Sequence, residues 1–369
     1  MIVCLTKKVQ GLFRLEGLEN YQSKQDDMWH VTTETFERRK LYYVVHVVTG
    51  YTLVYYGLTL KHRQRFSELL LRDLRTLMVF DGFTDQAAQT FIDSQGPIHY
   101  GKTNNRSVIS NTTNRKHDSY RFLDELDKTQ VFQKIISRRI NHALGLGYQK
   151  PRELLEARLS PSMKVTSSYR GYELDVILDL DQEQVIRRVL VPNYFTLDDL
   201  HVVIQKLFGW MDYHLHQFMN LSNHHIYAPL EDVFIVHDDT LNSRSMSVED
   251  AFKDFDEWLY TYDFGDDWQH TIICNHIVNQ PQPIIPICSF YDGENVPEDV
   301  GGIHGYHDFK QVMSQETHEA YHEYQSWLAS LDYEPFDLDQ VNVRLLQAFS
   351  YGFFAELLRM KLTENEEEE

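Results

Sequence analysis

The sequence predicts an α+β protein of two domains, each a mainly antiparallel sheet packed with helices. At 369 residues the chain exceeds the usual size of a single domain. Its charge also changes sign. Residues 1–160 carry 24 Lys and Arg against 17 Asp and Glu, a net charge of +7, whereas residues 161–369 carry 11 against 38, a net charge of −27. Two halves of opposite charge indicate two separate units.

A domain boundary is expected between about residues 150 and 168. There Pro151, Pro161 and a Ser/Thr cluster interrupt the hydrophobic pattern, and the charge reverses. The predicted organisation is a basic domain at 1–155, a second domain at 165–362 and an acidic tail at 363–369. Like charges repel one another and bury no apolar surface, so the tail should be mobile.

The composition argues against several classes of protein. The cysteines are Cys4, Cys274 and Cys288, without a Cys-x-x-Cys spacing, so neither a disulfide framework nor a thiolate zinc site is expected. No secretory signal follows Lys7 and Lys8, and no apolar run reaches membrane-spanning length. We therefore expect a cytoplasmic protein without a membrane partner, and the sequence leaves its oligomeric state open.

The amino-terminal half is predicted to contain a hairpin and two helices. Residues 40–48 and 51–58 are rich in Val and Tyr and flank Thr49-Gly50, which indicates two antiparallel strands joined by a turn. Apolar residues recur at helical spacing from Arg65 to Phe80. A further helix is expected from about Asp118 to Asn141.

The basic half also offers a candidate surface for a polyanion. Lys102 and Arg106 lie in a polar stretch whose cationic side chains and backbone amides can bind phosphate. The stretch lacks the spacing of a Walker loop. Nucleic acid or an acidic protein is the predicted partner of this half. The alternatives are an ordinary surface loop of turn residues and charges that are merely solvated.

The second half begins with a predicted strand pair followed by a helix. Residues 172–180 alternate between apolar and mostly polar side chains, and residues 185–191 give a second strand, so antiparallel pairing is expected. Thr196 can cap a helix that has acidic residues in its first turn and that Gly209 ends. Farther on, residues 258–262 and 268–273 predict an antiparallel hairpin.

Histidines and acidic residues of this half form a candidate metal site. His201 lies beside the buried face of the predicted helix. His214 and His216 are two residues apart in a predicted strand, so both should point to one face and can offer two imidazoles to one ion. Asp263 or Asp266, together with His270, can complete the site from the predicted hairpin. The alternative is core histidines that are hydrogen-bonded and aspartates that form the turn.

Two further carboxylates, Glu298 and Asp299, precede Gly301-Gly302 in a predicted tight loop. One of them can act as a general base on metal-bound water. Equally, they can be metal ligands or can cap a helix that starts near Tyr306.

These motifs resemble the plasmid pRiA4b ORF-3-like family over about residues 172–342, a bacterial family often found on plasmids and transposons. The matching segments, in order, are Arg187-Arg188, Pro192, Leu200-His201, Gly209-Trp210, His214-Leu215-His216, Tyr262 to Trp268, His270, Pro297 to Gly302 and Tyr306. Val185-Ile186 stand where the family usually has a Pro and a Trp. In the other half, Thr6-Lys7-Lys8, the hairpin and the Lys-Thr-x-x-Arg-Ser pattern resemble a small uncharacterised bacterial domain.

Relatives in the family are often labelled transposon resolvases, but the sequence has no arranged serine or tyrosine recombinase constellation. Two functions therefore remain open. The first is a binding or regulatory protein of mobile-element or defence context, which explains the division of charge. The second is a metal-dependent hydrolase or nuclease, in which the divalent ion is held by His201, His214, His216, Asp266 and His270.

Overall fold

The computed structural model describes residues 1–20, 28–103, 106–144, 149–159, 166–230, 239–331 and 333–349, with residues 106–111 described by their backbone alone. The chain divides into two compact units, Met1–Tyr169 and Arg170–Glu369. The predicted acidic tail, 363–369, lies outside the described residues, and so does the side chain of Arg106.

The amino-terminal unit is built on a five-stranded sheet in the order β4-β3-β2-β1-β5. Its strands are β1 (Ile2–Leu5), β2 (Met28–Phe36), β3 (Arg39–His46), β4 (Thr52–Tyr56) and β5 (His99–Lys102). The predicted hairpin is present as the antiparallel pair β3 and β4, and β2 also pairs antiparallel with β3. The pairings of β1 with β2 and β5 are parallel, which the sequence pattern did not reveal.

Helices cover this sheet: α1 (Lys7–Phe13), α2 (Leu60–Gln64), α3 (Phe66–Phe80), α4 (Asp85–Ser94), α5 (Arg106–Ser119), α6 (Lys134–His142) and α7 (Pro151–Leu159). The predicted helix from Arg65 to Phe80 corresponds to α3, whose Leu70, Leu74 and Leu77 join the core beside Trp29. Their regular spacing gives one continuous apolar face, which the sheet covers.

The prediction of one helix from Asp118 to Asn141 is wrong. That segment contains the end of α5, a 3₁₀ turn at Tyr120–Glu125 and then α6. Asp127 interrupts the helix because its side chain accepts hydrogen bonds from the backbone and the hydroxyl of Thr129, at 2.7 and 2.6 Å. Gln133 also binds the backbone of Asp127. Such local bonds compete with the helical pattern.

A buried ionic cluster lies in the core of this unit. The side chain of Asp81 has no solvent exposure. It accepts a hydrogen bond from the Tyr51 hydroxyl at 2.6 Å and lies 3.6 Å from Arg138 and 3.5 Å from His142. Burial, followed by the Arg138 charge, lowers the pKa of His142 to about 4. His142 is therefore neutral near pH 7, and Asp81 balances buried arginine charge.

The carboxy-terminal unit is built on an eight-stranded sheet in the order β10-β9-β8-β11-β12-β6-β7-β13. The strands are β6 (Tyr169–Asp179), β7 (Gln184–Pro192), β8 (His216–Asn220), β9 (Ile226–Ala228), β10 (Leu241–Asn242), β11 (Trp258–Tyr262), β12 (Trp268–Gln280) and β13 (Ile287–Asp292). The pairs β6–β7 and β11–β12 are antiparallel, as predicted. The pairs β7–β13, β8–β9 and β8–β11 are also antiparallel, whereas β9 and β10 are parallel.

The helices of this unit are α8 (Leu197–Phe208), α9 (Val248–Ala251), α10 (Gly302–Met313), α11 (Tyr321–Ser330) and α12 (Leu338–Phe349). As predicted, Thr196 caps α8, forming a capping box with Asp199, and Gly209 ends it with φ of 75°. The two-sheet, two-domain arrangement confirms the α+β class. In the part of the chain that the structure describes, no helix is both long and apolar enough to cross a membrane.

The central strands present two adjacent rows of side chains to α8. One row consists of Phe218, Tyr260 and His270, which are paired with one another across β8, β11 and β12. The next row consists of His216, Tyr262 and Trp268, which are paired across the same three strands. All six side chains are buried. Polar atoms on this face must therefore find partners within the protein, and this requirement positions the site described next.

Candidate metal centre

Two groups of His and Asp side chains converge at the edge of this face. We call His201, Asp212 and His216 the inner cluster, and His214, Asp263 and Asp299 the outer cluster. Within each group the possible ligand atoms all lie within 4.8 Å of one another. The single site predicted from the sequence is therefore divided into two neighbouring groups.

The inner cluster is held by a closed ring of hydrogen bonds. His201 lies 2.8 Å from the Asp212 carboxylate through Nε2 and 2.7 Å from the Tyr260 hydroxyl through Nδ1. Gln205 donates to the Tyr260 oxygen at 3.1 Å and accepts from the Asp212 amide at 3.1 Å. Because the Asp212 carboxylate can only accept, Nε2 of His201 donates to it; in that tautomer Nδ1 accepts from the Tyr260 hydroxyl, whose oxygen accepts from Gln205.

His216 stacks on His201, with the ring centroids 3.5 Å apart and the planes within 5°. Burial lowers the pKa of His216 well below its usual value, and the charges of His201 and Arg244 act in the same direction. Its buried Nε2 atom has no hydrogen-bond partner among the described residues. Because His201 uses both of its nitrogens in the ring of bonds, His216 is the imidazole of this cluster with an available nitrogen.

The outer cluster is more open. His214 Nε2 lies 2.8 Å from an Asp299 oxygen and 3.6 Å from an Asp263 oxygen. The side chains of His214, Asp263 and Asp299 are 29%, 12% and 49% exposed. Among the described residues, neither carboxylate pairs with a Lys or an Arg. Two carboxylates and one imidazole therefore face one another at a solvent-accessible point.

Tight turns bring these side chains together. Asp263 and Asp299 have positive φ values of 55° and 60°, a conformation that aspartate tolerates better than most residues. Asp266 accepts a hydrogen bond from the Gly301 amide at 3.0 Å, which ties the hairpin turn to the loop that carries Asp299. A Cβ atom at Gly302 would lie 2.7 Å from the Asp266 carbonyl oxygen, so this close approach requires glycine.

A buried pair of residues fixes the loop that carries His214. The Tyr262 hydroxyl donates to Glu298 and accepts from the backbone amides of Tyr213 and His214, at 3.1 and 3.4 Å. The second oxygen of Glu298 accepts from the Met211 amide at 2.8 Å. Burial, followed by the Glu298 hydrogen bond, raises the pKa of Tyr262, so the phenol stays protonated. Glu298 therefore holds in place the loop that carries His214.

A pocket of about 260 Å³ opens beside the outer cluster. Asp299 belongs to both the cluster and the pocket wall, and Glu298 lines the same wall. Its other lining residues include Trp210, Met211, Tyr213 and Arg344. An ion bound at the outer cluster would therefore lie beside a ligand that enters this pocket.

The structure separates the five residues that the sequence suggested as metal ligands. His201 and His216 lie in the inner cluster and His214 in the outer one, whereas Asp266 and His270 belong to neither. The expectation that His214 and His216 share one face of a strand is wrong. The strand begins only at His216, after Asp212 has turned the chain with a φ of 61°.

The other predicted residues have different positions. Asp299 is a member of the outer cluster, and Glu298 is engaged by Tyr262. Neither caps the following helix, because α10 begins after Gly301 without a side-chain cap. Lys102 is exposed at the end of β5. No motif or regular spacing in the sequence pointed to Asp212, to the pairing of Asp299 with His214, or to Arg344.

His270 is a core residue rather than a candidate ligand. Its ring packs edge-on against Phe208 and Trp210, with centroids 4.7 and 5.4 Å away. Both ring nitrogens are buried without a partner in hydrogen-bonding geometry among the described residues. Burial lowers the pKa of His270 to about 3, although the backbone of Trp268 and of Tyr260 acts in the opposite direction.

We expect His270 to make the carboxy-terminal unit sensitive to acid. Its pKa is about 3 when folded, against an ordinary value of 6.5, so the unfolded chain binds the extra proton first. The free energy of unfolding should then fall by up to about 1.4 kcal/mol per pH unit from this residue as the pH drops from 6.5 towards 3. Urea titrations of wild type and His270→Phe at several pH values measure the difference. Equal pH dependence in the two proteins would contradict the assignment.

Comparison with known proteins agrees with this two-part organisation. The family model described as "Plasmid pRiA4b ORF-3-like protein" matches residues 170–344, and a "Domain of unknown function (DUF6933)" matches residues 2–154. An uncharacterized protein, y4hQ, from Sinorhizobium fredii (strain NBRC 101917 / NGR234) is 33% identical over 163 residues, which cover 44% of this chain and 82% of that protein. The chain belongs to the plasmid pRiA4b ORF-3-like family.

Part of the chain also matches a solved structure. The crystal structure of the protein of unknown function MM3350 from Methanosarcina mazei Go1 has 32% sequence identity, with 46% of this chain and 97% of that chain covered and a TM-score of 0.40.

Proposed function

We propose that the pRiA4b ORF-3-like domain is a divalent-metal-dependent hydrolase whose ion is held by the outer cluster. The observation that carries the proposal is the convergence of Asp263 and Asp299 on His214 at a half-exposed point beside a pocket. Two carboxylates this close repel each other. Among the described residues, His214 is the basic side chain that contacts both of them. A divalent cation would remove that repulsion.

The donor set suits this chemistry. One imidazole and two carboxylates are ligands that zinc, manganese and non-haem iron all accept. Three protein ligands leave coordination positions for water and substrate, as in catalytic sites. Such an ion lowers the pKa of a bound water and polarises a carbonyl or phosphoryl oxygen.

The protein's own residues have distinct proposed roles. His214, Asp263 and Asp299 bind the ion, so Asp299 is a ligand here and not the general base. Glu298 is a positioning residue, because it holds Tyr262 and the Met211 amide and thereby fixes the loop that carries His214. The inner cluster, with its closed hydrogen bonds, stabilises the adjoining turn at Asp212.

Hydrolysis assays test the proposal. Purified protein is stripped with EDTA, supplied with Mn²⁺, Zn²⁺ or Mg²⁺, and tested on chromogenic phosphomonoester, phosphodiester and carboxylic ester substrates. At least one substrate should be turned over only with an added ion, and His214→Ala should abolish that turnover. His225→Ala is the matched control, because His225 is exposed on the turn before β9 and belongs to neither cluster. Absence of metal-dependent turnover with all three substrate types would contradict the proposal.

A binding role for the amino-terminal unit is a second proposal, supported by a different observation. A groove of about 530 Å³ is lined by Lys61, His62, Arg65, Glu68, Leu69 and Arg72. Glu68 is the single acidic residue among them, and it pairs with Arg65 at 2.7 Å. Arg72 also pairs with a carboxylate, that of Asp73, at 2.8 Å. The cations Lys61, Arg65 and Arg72 still outnumber these two carboxylates, which favours a polyanion, and we propose nucleic acid as its partner.

Charge reversal in the groove tests the second proposal. The full chain should bind a fluorescent single-stranded oligonucleotide at low salt, and Lys61→Glu with Arg72→Glu should weaken binding and reduce its salt dependence, because fewer counterions are released. Lys102→Glu tests the exposed lysine of β5 in the same assay. Lys128→Glu, which removes a lysine paired with Glu37 outside the groove, is the control. Equal binding by the control and the groove variant would contradict this role.

A further inference from the structure

Two large apolar side chains are exposed at the pocket beside the outer cluster. Met211 is 54% exposed and Tyr213 is 70% exposed, and both line the pocket together with Asp299. Apolar side chains that are exposed at a cavity next to a candidate site commonly contact a ligand. We call Met211 and Tyr213 the apolar lip. It offers surface to the part of a substrate that extends from the outer cluster into the pocket.

Backbone hydrogen bonds hold the apolar lip in place. The Met211 amide donates to Glu298 at 2.8 Å, and the Tyr213 amide donates to the Tyr262 hydroxyl at 3.1 Å. His214, a member of the outer cluster, follows Tyr213 directly in the chain. The bonds that fix the loop of His214 therefore also fix the lip, and they are kept when alanine replaces either lip residue.

Several polar groups of the pocket wall already donate hydrogen bonds to the protein itself. The Tyr333 hydroxyl donates to the Asn295 carbonyl at 2.9 Å, and the Asn295 side chain donates to the Glu334 carbonyl at 3.0 Å. The Ser330 hydroxyl donates to the Trp327 carbonyl at 2.6 Å. Because these donors are occupied, a ligand gains little by hydrogen bonding to this part of the wall.

The charge of the wall disfavours an anionic group in the pocket. Among the lining residues, Glu298, Asp299 and Glu334 carry negative charge, and Arg344 carries positive charge with its Nε and Nη2 atoms buried. An anion inside the pocket would be repelled by the excess of negative charge. An uncharged apolar group avoids this repulsion and can cover the apolar lip.

We infer that the pocket binds an uncharged aromatic group of the substrate, which the apolar lip contacts. The inference rests on the proposed hydrolase for the reacting bond, because Asp299 is shared by the pocket and the outer cluster. The pocket volume of about 260 Å³ exceeds that of a cavity of roughly 150 Å³ that binds benzene in another protein, so a ring fits. Tyr213 can stack on a flat ring, and the Met211 sulfur makes favourable contacts with aromatic rings. The substrate class is an ester with an aromatic group next to the hydrolysed bond.

Fluorescence titration with naphthol, an aromatic probe that is uncharged near pH 7, tests the pocket on the full chain in EDTA. Wild type should bind naphthol. The lip variant, Met211→Ala with Tyr213→Ala, should bind it roughly 10-fold more weakly, because apolar contact with the ring is lost. Tyr120→Ala is the matched control, since Tyr120 is 47% exposed and does not line the pocket. The replaced side chains are exposed, so both proteins should unfold at the wild-type temperature.

Probes with the same ring and different charge test the argument from the wall. Naphthoate should bind more weakly than naphthol in EDTA, because the carboxylates of the pocket repel it. Tighter binding of naphthoate or of naphthylmethylammonium than of naphthol would show that charge selects the ligand, and would overturn the inference. Equal naphthol affinity in wild type and the lip variant would overturn it too.

Steady-state kinetics separates this inference from the proposed function. For the type of ester that the protein hydrolyses, a benzyl ester should have a lower KM than the matching ethyl ester. The lip variant should raise the KM of the benzyl ester and leave its kcat and the ethyl ester almost unchanged, as expected when ground-state binding is lost. Naphthol binding that depends on the lip, without turnover of any ester, would uphold the aromatic pocket and contradict only the hydrolase. Metal-dependent turnover with the same benzyl KM in wild type and the lip variant would uphold only the hydrolase.

Discussion

Replacing His214 with alanine and Asp263 with asparagine is expected to weaken Mn²⁺ or Zn²⁺ binding by at least ~100-fold, since even changes outside the direct ligands cost 10- to 100-fold. Two of the three donors of the outer cluster are lost. The fold should survive, because His214 is partly exposed and asparagine tolerates the positive φ at position 263. Asparagine also keeps the oxygen that accepts from the Gly265 amide. Calorimetric titration of EDTA-treated protein measures the effect.

Two controls identify the cluster that binds the ion. His225→Ala removes an exposed histidine and should leave the affinity unchanged. His216→Ala removes the imidazole of the inner cluster that has an available nitrogen, and it should have a small effect if the outer cluster holds the ion. A large loss of metal affinity with His216→Ala and none with the outer-cluster variant would show that the ion binds at the inner cluster, and would contradict our assignment.

The largest loss of stability is expected from Asp81→Asn in the amino-terminal unit. The substitution keeps the shape of the side chain but removes the negative charge that faces Arg138 and the Tyr51 hydroxyl. Arg152 also donates to the Asp81 carbonyl in the same buried region. Removing a carboxylate that balances buried arginine charge costs about 3–5 kcal/mol. Urea-dependent hydrogen exchange of peptides from residues 1–169 measures this unit separately.

Asp85→Asn is the matched control for this prediction. Asp85 also pairs with an arginine, Arg75, at 2.7 Å, but the two side chains are 63% and 49% exposed. Exposed ion pairs contribute little to stability because water and salt screen them, so the control should leave the free energy of unfolding almost unchanged. Similar losses in the free energy of unfolding for Asp81→Asn and Asp85→Asn would show that the burial of Asp81 does not determine its contribution to stability.

Local rules predicted much of the fold. The start and end of α8 follow from Thr196 and Gly209, which satisfy backbone groups through side-chain capping and a positive φ. Alternating apolar residues predicted the pairing of β6 with β7, because a strand buried on one face needs that period. The helix expected from Asp118 to Asn141 failed where Asp127 and Gln133 bind the backbone nearby. Such side-chain bonds are not visible in hydrophobic spacing.

The site was less predictable because its members meet only in the folded chain. His214 meets Asp299 across 85 residues of sequence, and Asp263 reaches them from the hairpin turn. The His-x-His spacing suggested a shared strand face, but the turn at Asp212 assigns the two imidazoles to different clusters.

Anomalous diffraction from Mn²⁺-soaked crystals tests the assignment of the outer cluster, because it locates the ion. We expect one strong anomalous peak within bonding distance of His214 Nε2 and of the carboxylates of Asp263 and Asp299, and no such peak in crystals of the His214→Ala, Asp263→Asn variant. A peak at His216 in the inner cluster, or soaked crystals without a peak at either cluster, would contradict the claim that the outer cluster is the metal site.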